Sequence, residues 1–205
     1  ELVWHRETDL SAFDAVVLPG GFAHGDYLRT GAVGRFSGVG GGVSRLGGCG
    51  AAVVGLCGGF QILTVAGLLP GVLLANRNLR FICRPVHLRV ESTNSVLTRT
   101  AQVGRVLEIP LNSYEGNYTI DPAAAPATTV LTYSDANGQV SEETNPNGST
   151  QNVAGIAGAN GNVVGLMPHP ERATESVLGS TDGRVLLQSF IDSVHETAPR
   201  SPANV

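Results

Sequence analysis

The sequence predicts a single α/β domain with a mostly parallel sheet, helices on its faces and some antiparallel additions. Residues 15–18 form an apolar run that ends at the glycine-rich residues 19–21, and residues 51–56 repeat this pattern before residues 57–59. Such runs are typical of strands buried on both faces of a parallel sheet. The chain has 205 residues, 42% hydrophobic and 15% charged, so one domain with a sizeable core is expected.

The spacing of apolar residues predicts the remaining elements in chain order. Val86, Leu88 and Val90 alternate with polar residues, as in a half-exposed strand, and Asn160-Gly161 is a hairpin signal. The expected elements are a strand in progress at 1–4, a helix and loop within 29–46, a short buried helix at 60–67, strands at 86–90, 128–133, 153–157 and 162–167, and an amphipathic helix at 185–194. We therefore expect one domain over residues 1–198 and a tail at 199–205.

Composition and charge exclude several classes of function. The net charge of −4 argues against a nucleic-acid surface, which needs a clustered basic face. All 13 basic residues are arginine, so a mechanism that requires lysine is excluded. A membrane span is not expected, because six glycines and Pro70 interrupt the apolar stretch at residues 49–75.

The three cysteines predict neither a disulfide framework nor a zinc site. Cys49, Cys57 and Cys83 are odd in number, and the sequence contains no CxxC or HxxxH spacing. No metal site is therefore expected. Because no secretory signal is visible, these thiols favour a cytoplasmic location.

Cys57 is the candidate nucleophile, because it stands where a buried strand turns directly into a helix. This is the setting of a nucleophile elbow, in which a sharp turn exposes the reactive atom. Gly55, Gly58 and Gly59 supply the small neighbours that such a turn needs. The N-terminal end of the helix stabilises a negatively charged sulfur. An unreactive core cysteine is the alternative, which we retain for the other two cysteines.

His169 is the candidate base that a cysteine nucleophile requires. It follows a predicted strand, and Pro168 and Pro170 restrict its backbone on either side. Glu171 can accept a hydrogen bond from one ring nitrogen, which sets the tautomer and stabilises the imidazolium. A histidine in an ordinary proline-rich turn, beside a solvated carboxylate, is the alternative.

The glycines after the two buried strands are candidate oxyanion donors. Gly20 and Gly21 follow one strand, and Gly58 follows Cys57 at the end of the other. The carboxyl ends of parallel strands meet at one edge of a sheet, so these backbone N–H groups can point at one developing negative charge. A tight turn without any catalytic role is the alternative for Gly20 and Gly21.

Four segments resemble the class I (triad) glutamine amidotransferases. They are residues 19–22 (PGGF), 25–29 (GDYLR), 55–63 (GLCGGFQIL) and 167–172 (MPHPER). Segments at 66–71, 81–84, 115–118 and 147–149 narrow the resemblance to the glutaminase subunits of phosphoribosylformylglycinamidine synthase, a family of purine biosynthesis. The resemblance covers nearly the whole chain.

The resemblance implies hydrolysis of L-glutamine through a thioester. In this family Cys57 would attack the side-chain amide, His169 would carry the proton to the leaving ammonia, and Glu171 would orient His169. Water then hydrolyses the γ-glutamyl thioester to glutamate. Gly21 and Gly58 would donate N–H groups to the oxyanion.

The resemblance also implies the other binding groups and the partners. Gln61 would help to position the substrate, with Gly20 in the neighbouring loop. Ammonia would pass to a large synthetase subunit, which uses ATP and magnesium to make formylglycinamidine ribonucleotide, and a small accessory subunit would complete the complex. The glutaminase subunit itself would need no cofactor or metal, and neither nucleic acid nor a membrane would be a partner.

The chain departs from the family pattern at four positions and at its start. Gly58 stands where the family has asparagine, His24 where it often has tyrosine, and Ser113 and Tyr114 where histidine and glycine are expected. A positive φ at Tyr114 would strain the backbone. The family begins roughly 30 residues earlier, with one strand and one helix of a βαβ unit. We therefore expect an N-terminally incomplete domain.

Two other functions remain open from the sequence. One is a cysteine-elbow hydrolase that acts on a different amide, against which Gln61 and residues 25–29 argue. The other is a weak or catalytically silent subunit that only docks on the synthetase. The presence of Cys57, His169 and Glu171 argues against a catalytically silent subunit, whereas the shortened N-terminal part argues for one.

Overall fold

The structure is a computed structural model that describes residues 1–21, 34–121 and 127–197. The described part contains nine strands and three α-helices, which we number in chain order. The strands are β1 (Ala15–Leu18), β2 (Ala52–Leu56), β3 (Val72–Leu74), β4 (Ile82–Val90), β5 (Val106–Ser113), β6 (Asn117–Thr119), β7 (Thr128–Ser134), β8 (Val153–Ala157) and β9 (Val163–Leu166). The helices are α1 (Gly38–Gly48), α2 (Gly58–Val65) and α3 (Gly183–Thr197), with short 3-10 turns at Gly34–Phe36, Thr150–Asn152, Pro170–Arg172 and Ser176–Leu178.

Seven strands form the main sheet, in the order β1-β2-β9-β8-β7-β4-β5. The pairs β1–β2 and β2–β9 are parallel, and the remaining pairs are antiparallel. Strands β3 and β6 pair in a small second sheet. The α/β class is therefore confirmed, and its parallel part is the edge formed by β1, β2 and β9.

The helices pack closely on the parallel part of the sheet. A Cβ added at Gly47 of α1 would lie 3.2 Å from Val163 Cγ2, and one added at Gly165 of β9 would lie only 2.0 Å from the Phe60 ring of α2. Phe60 is fully buried because this glycine leaves space for its ring. The missing side chain therefore sets how closely α2 approaches the sheet.

The predicted strands at 15–18, 51–56 and 153–157 all appear, and the hairpin at Asn160-Gly161 joins β8 to β9. Two expectations were wrong. Strand β1 is not fully buried, because it lies at the sheet edge in the described structure and Val17 is 45% exposed. Residues 1–4 do not form a strand.

Strands β3, β5 and β6 were not anticipated. Strand β5 contains Pro110 and Asn112, residues that are uncommon in strands, and β3 and β6 have three residues each. Long-range pairing with β4, from Arg89–Val106 to Ile82–Ser113, defines β5. The antiparallel part of the sheet is accordingly larger than the sequence patterns indicated.

Several sequence predictions lie outside the described residues. They are the segment at 25–29, the departure at His24, and the tail at 199–205. Helix α3, which ends at Thr197, confirms the amphipathic helix expected at 185–194. The described residues contain no helix long and apolar enough to span a bilayer.

Candidate active site

Cys57 lies at a sharp turn between β2 and α2. Its φ of 49° and ψ of −108° are rarely adopted by residues other than glycine, and such strain is concentrated at functional sites. The Cys57 N–H donates to Leu166 O at 2.8 Å and so extends the β2–β9 pairing up to the turn. The side chain is 7% exposed, with Sγ 3.6 Å from the carbonyl oxygen of Asn112.

Two glycines make this turn possible. A Cβ added at Gly59 would lie 2.1 Å from Leu18 O, and one added at Gly55 would lie 2.7 Å from the Gly59 backbone. Both distances are far inside van der Waals contact. Helix α2 can therefore start directly against β1 and β2 only because these residues have no side chain.

His169 follows β9 and is held from two sides. Its backbone N–H donates to Pro110 O at 2.8 Å, and its Nδ1 lies 2.6 Å from Glu171 Oε1. The ring is 11% exposed, whereas the Glu171 side chain is 44% exposed. Nε2 is buried and has no hydrogen bond of regular geometry within the described residues. The carboxylate thus leaves Nε2 as the ring atom available for proton transfer.

The surroundings of His169 favour its protonated form. Burial by itself lowers the pKa of the imidazole, but interactions with Cys57 and then with Glu171 outweigh it and raise the pKa to about 9. Cys57 contributes to the raised pKa because its side chain lies close to the imidazole ring. A protonated imidazole beside the Cys57 sulfur can supply the proton that a leaving group requires.

Gly20 lies next to both reactive side chains. A Cβ added there would be 3.0 Å from Cys57 Cβ and 3.1 Å from His169 Cε1. The loop after β1 therefore passes directly beside both groups, as the meeting of strand ends predicts.

Gly21, Gly58 and Gln61 meet on the other side of the elbow. A Cβ added at Gly58 would lie 3.3 Å from Gly21 O, 3.5 Å from Gly21 N and 3.7 Å from Gln61 Oε1. Gly58, where the family identified by resemblance has asparagine, thus allows the loop after β1 to approach the start of α2 closely. All seven residues singled out from the sequence lie around this turn: Gly20, Gly21, Cys57, Gly58, Gln61, His169 and Glu171.

The end of β5 contacts the site through Asn112, and Ser113 and Tyr114 beside it were singled out from the sequence only as departures from the family pattern. Ser113 is buried, and Tyr114 is not among the described residues with a positive φ, so the strain considered there is absent. Asn112, whose carbonyl faces Cys57, was missed because a backbone contact between distant segments has no local sequence signal. The described residues contain no cluster of three or more His, Cys, Asp or Glu side chains that could hold a metal ion.

A sequence profile described as the CobB/CobQ-like glutamine amidotransferase domain matches residues 2–186. The chain belongs to this family. A protein of Koribacter versatilis named phosphoribosylformylglycinamidine synthase subunit PurQ is 47% identical over 197 residues, 94% of this chain and 85% of its own length. The subunit of the same name from Acaryochloris marina is 48% identical over 198 residues, with coverages of 94% and 84%.

A solved structure of a similar protein supports the family assignment and shows the same fold. A chain in the structure of PurLQS from Thermotoga maritima matches with a TM-score of 0.81 at 36% identity, covering 91% of this glutamine amidotransferase and 82% of the matched chain. These comparisons confirm the family, the α/β fold class, and the function as a glutamine amidotransferase subunit expected from the sequence. The individual roles of the seven site residues stay predictions.

Proposed function

We propose that this glutamine amidotransferase hydrolyses L-glutamine through a thioester on Cys57 and supplies ammonia for the synthesis of formylglycinamidine ribonucleotide. The observation that carries the proposal is the strained Cys57 turn, with His169 beside it and Glu171 bonded to Nδ1. A buried, unreactive cysteine would need neither the strained backbone nor an oriented imidazole. This geometry argues against a silent docking subunit, and the family match argues against an unrelated amide hydrolase.

The chemistry proceeds in two steps. The sulfur of Cys57 forms a bond to the side-chain carbonyl carbon of glutamine, and the C–N bond breaks when His169 donates its proton to the departing ammonia. Water, activated by the now neutral His169, then attacks the thioester carbon. Glutamate leaves, and the proton returns to the Cys57–His169 pair.

The groups beside Cys57 can stabilise the oxyanion and bind the substrate glutamine. The N–H groups of Gly21 and Gly58 lie near one another beside Cys57, where negative charge develops on the carbonyl oxygen. Gln61 Oε1 is buried, has no hydrogen-bond partner in the described structure, and lies near Gly58. An acceptor in this position suits the ammonium group of the substrate glutamine.

The partner, cofactor and location predictions extend this proposal. A large synthetase subunit receives the ammonia, and the shared subunit names and the PurLQS assembly support such a partner. We propose that ATP and magnesium act in that subunit, that a small accessory subunit joins the complex, and that the complex is cytoplasmic. Three free cysteines are consistent with a reducing compartment.

Covalent trapping tests the nucleophile. Diazo-oxo-norleucine, a glutamine mimic, should alkylate Cys57 with loss of dinitrogen and produce a single adduct by intact mass and peptide mapping. The exposed Cys49 and Cys83 serve as internal controls because they lack the neighbouring histidine. Adducts on these two thiols, or none on Cys57 in the complex with the synthetase subunit, would contradict the proposal.

Glu171→Gln should move the alkaline limb of the pH–rate profile to lower pH. The rate falls as His169 loses the proton needed by the leaving ammonia, which occurs near its pKa of about 9. The Glu171 carboxylate raises this pKa by a hydrogen bond and by its charge, and glutamine lacks the charge.

The raised pKa of His169 also stabilises the folded protein. This contribution is fully present below pH 6.5, the ordinary pKa of histidine, and is lost as the pH rises through about 9.

The measurement is kcat for glutamine from neutral to alkaline pH. Glu175→Gln, which removes a nearby exposed carboxylate, is the matched control and should leave the alkaline limb in place. If Glu171→Gln left the profile unchanged, Glu171 would not belong to the catalytic group.

A further inference from the structure

Two buried asparagines hold residues 113–116, which comprise the last residue of β5 and the three residues before β6; we call this segment the β5–β6 loop. Asn76 is 0% exposed. Its Nδ2 donates to Ser113 O at 2.9 Å, its backbone N–H donates to Tyr114 O at 2.8 Å, and its Oδ1 accepts from the Gly116 N–H at 3.1 Å. One side chain and its backbone thus bond to three residues of the loop.

Asn147, which follows the loop in the sequence whereas Asn76 precedes it, holds the last residue of the loop. It is also 0% exposed, and its Nδ2 donates to Gly116 O at 2.7 Å and to the Tyr133 hydroxyl at 3.1 Å. Its Oδ1 accepts from the Ser149 hydroxyl at 2.7 Å. Burial raises the pKa of Tyr133, so its hydroxyl stays protonated and uncharged beside Asn147.

These bonds leave one loop carbonyl for the active site. The carbonyls of Ser113 and Tyr114 are bonded to Asn76, and that of Gly116 to Asn147. The remaining carbonyl, on Glu115, accepts from Gln61 Nε2 at 2.8 Å. This bond orients the Gln61 amide, because its nitrogen is bonded to the loop and its oxygen lies near Gly58.

We propose that Asn76 and Asn147 are positioning residues for the glutamine substrate, which act by holding the β5–β6 loop so that Glu115 O orients Gln61. The proposal rests on the proposed function, since it needs Gln61 to face bound glutamine. Asparagine suits this role because its amide donates and accepts at once. At complete burial, each unsatisfied partner is costly, so the arrangement resists rearrangement.

A purely structural role would produce a different result from a positioning role. If the two asparagines only stabilised the fold, their replacement would lower the melting temperature without changing the KM for glutamine. If they orient Gln61, the KM for glutamine rises while the reactivity of Cys57 towards a small electrophile stays the same. Iodoacetamide is such a probe, because it alkylates a thiol without using a glutamine site.

The experiment compares Asn76→Asp with wild type, both in complex with the synthetase subunit. Aspartate keeps the shape, but an ionised carboxylate donates to neither of the two acceptors of the Asn76 amide, Ser113 O and Arg80 O. We expect the KM for glutamine to rise about tenfold or more, as for a lost hydrogen bond to a buried group, with kcat within about threefold. Labelling of Cys57 by diazo-oxo-norleucine should slow similarly, and labelling by iodoacetamide should not.

Asn147→Ala is the milder second variant, because the Ser149 hydroxyl then loses Asn147 Oδ1 as its acceptor and can donate to Gly116 O, which lies 3.2 Å away. It should raise the KM in the same direction by a smaller factor. Asn162→Asp is the matched control: Asn162 Nδ2 also donates to two backbone carbonyls, Gly47 O and Ala51 O, at the far end of β9 from His169. This control should lower stability and leave the KM unchanged.

A double-mutant cycle tests whether Asn76 affects glutamine binding through Gln61. In a Gln61→Ala background, Asn76→Asp should add little to the KM, because the group through which it acts is already gone. Additive effects on KM would overturn the proposed route, and an unchanged KM in a folded Asn76→Asp or Asn147→Ala variant would overturn the proposal itself. Failure of wild type to be labelled on Cys57 by diazo-oxo-norleucine would instead contradict the proposed function.

Discussion

Cys57→Ala should abolish glutamine-dependent synthesis of formylglycinamidine ribonucleotide and leave synthesis from added ammonia intact. Alanine cannot form the thioester, and we expect glutamine hydrolysis to fall by at least about a thousandfold, as for the removal of other catalytic nucleophiles. The synthetase subunit does not use Cys57, so free ammonia still reaches it. The measurement is product formation by the assembled complex with glutamine or with an ammonium salt.

The ammonia reaction distinguishes lost chemistry from lost structure. If both reactions failed, the substitution would have disturbed assembly, and Cys57→Ser would be the replacement to examine because it keeps a similar volume. Normal glutamine-dependent activity in Cys57→Ala would show that the nucleophile has been wrongly assigned. Cys49→Ala is the matched control, since this thiol is exposed and lies at the end of α1.

Gly59→Ala should destabilise the fold and remove the active site together. The added Cβ would lie 2.1 Å from Leu18 O, a backbone atom of a paired strand that cannot rotate away. Helix α2 must therefore shift away from β1, and the Cys57 turn must move with it. We expect a loss of about 3 kcal/mol or more in the free energy of unfolding, at the upper end for overpacking.

Chemical denaturation followed by circular dichroism measures this loss. Gly48→Ala is the matched control, because Gly48 is also helical, is exposed, and has no atom within 4 Å of an added Cβ. It should be neutral or stabilise the protein by up to about 1 kcal/mol through helix propensity. Wild-type stability and glutaminase activity in Gly59→Ala would contradict the close packing at the turn.

The sequence predicted the strand–turn–helix unit and the candidate residues Cys57, His169 and Glu171 because their signals are local, whereas Gln61 was singled out only through the family resemblance. The apolar run of β2 stops at Cys57, glycines surround it, and Glu171 follows His169 by two residues. The same kind of signal located β8, β9 and the hairpin between them. Each of these elements depends on neighbours within about ten residues, the range over which apolar periodicity and turn residues act.

Local signals failed where pairing between distant segments decides the structure. Strand β5 forms against β4 despite Pro110, and β1 lies at the edge of the described sheet, although its apolar run resembles a central strand. Whether an apolar run is central or lies at an edge depends on which strands pair beside it, and the run itself does not contain that information.

By itself, the sequence determined the α/β class and the family, and it predicted seven site residues, which the structure brings together around the Cys57 turn. Only the tertiary structure decided how they are held. Gly20 lies next to both Cys57 and His169 because the carboxyl ends of the parallel strands β1, β2 and β9 meet at one edge of the sheet. Gln61 bonds to a loop that Asn76 and Asn147 hold from distant parts of the chain. The physical reason is that hydrogen bonds of buried polar groups are satisfied by whatever the fold brings within reach, irrespective of distance along the chain.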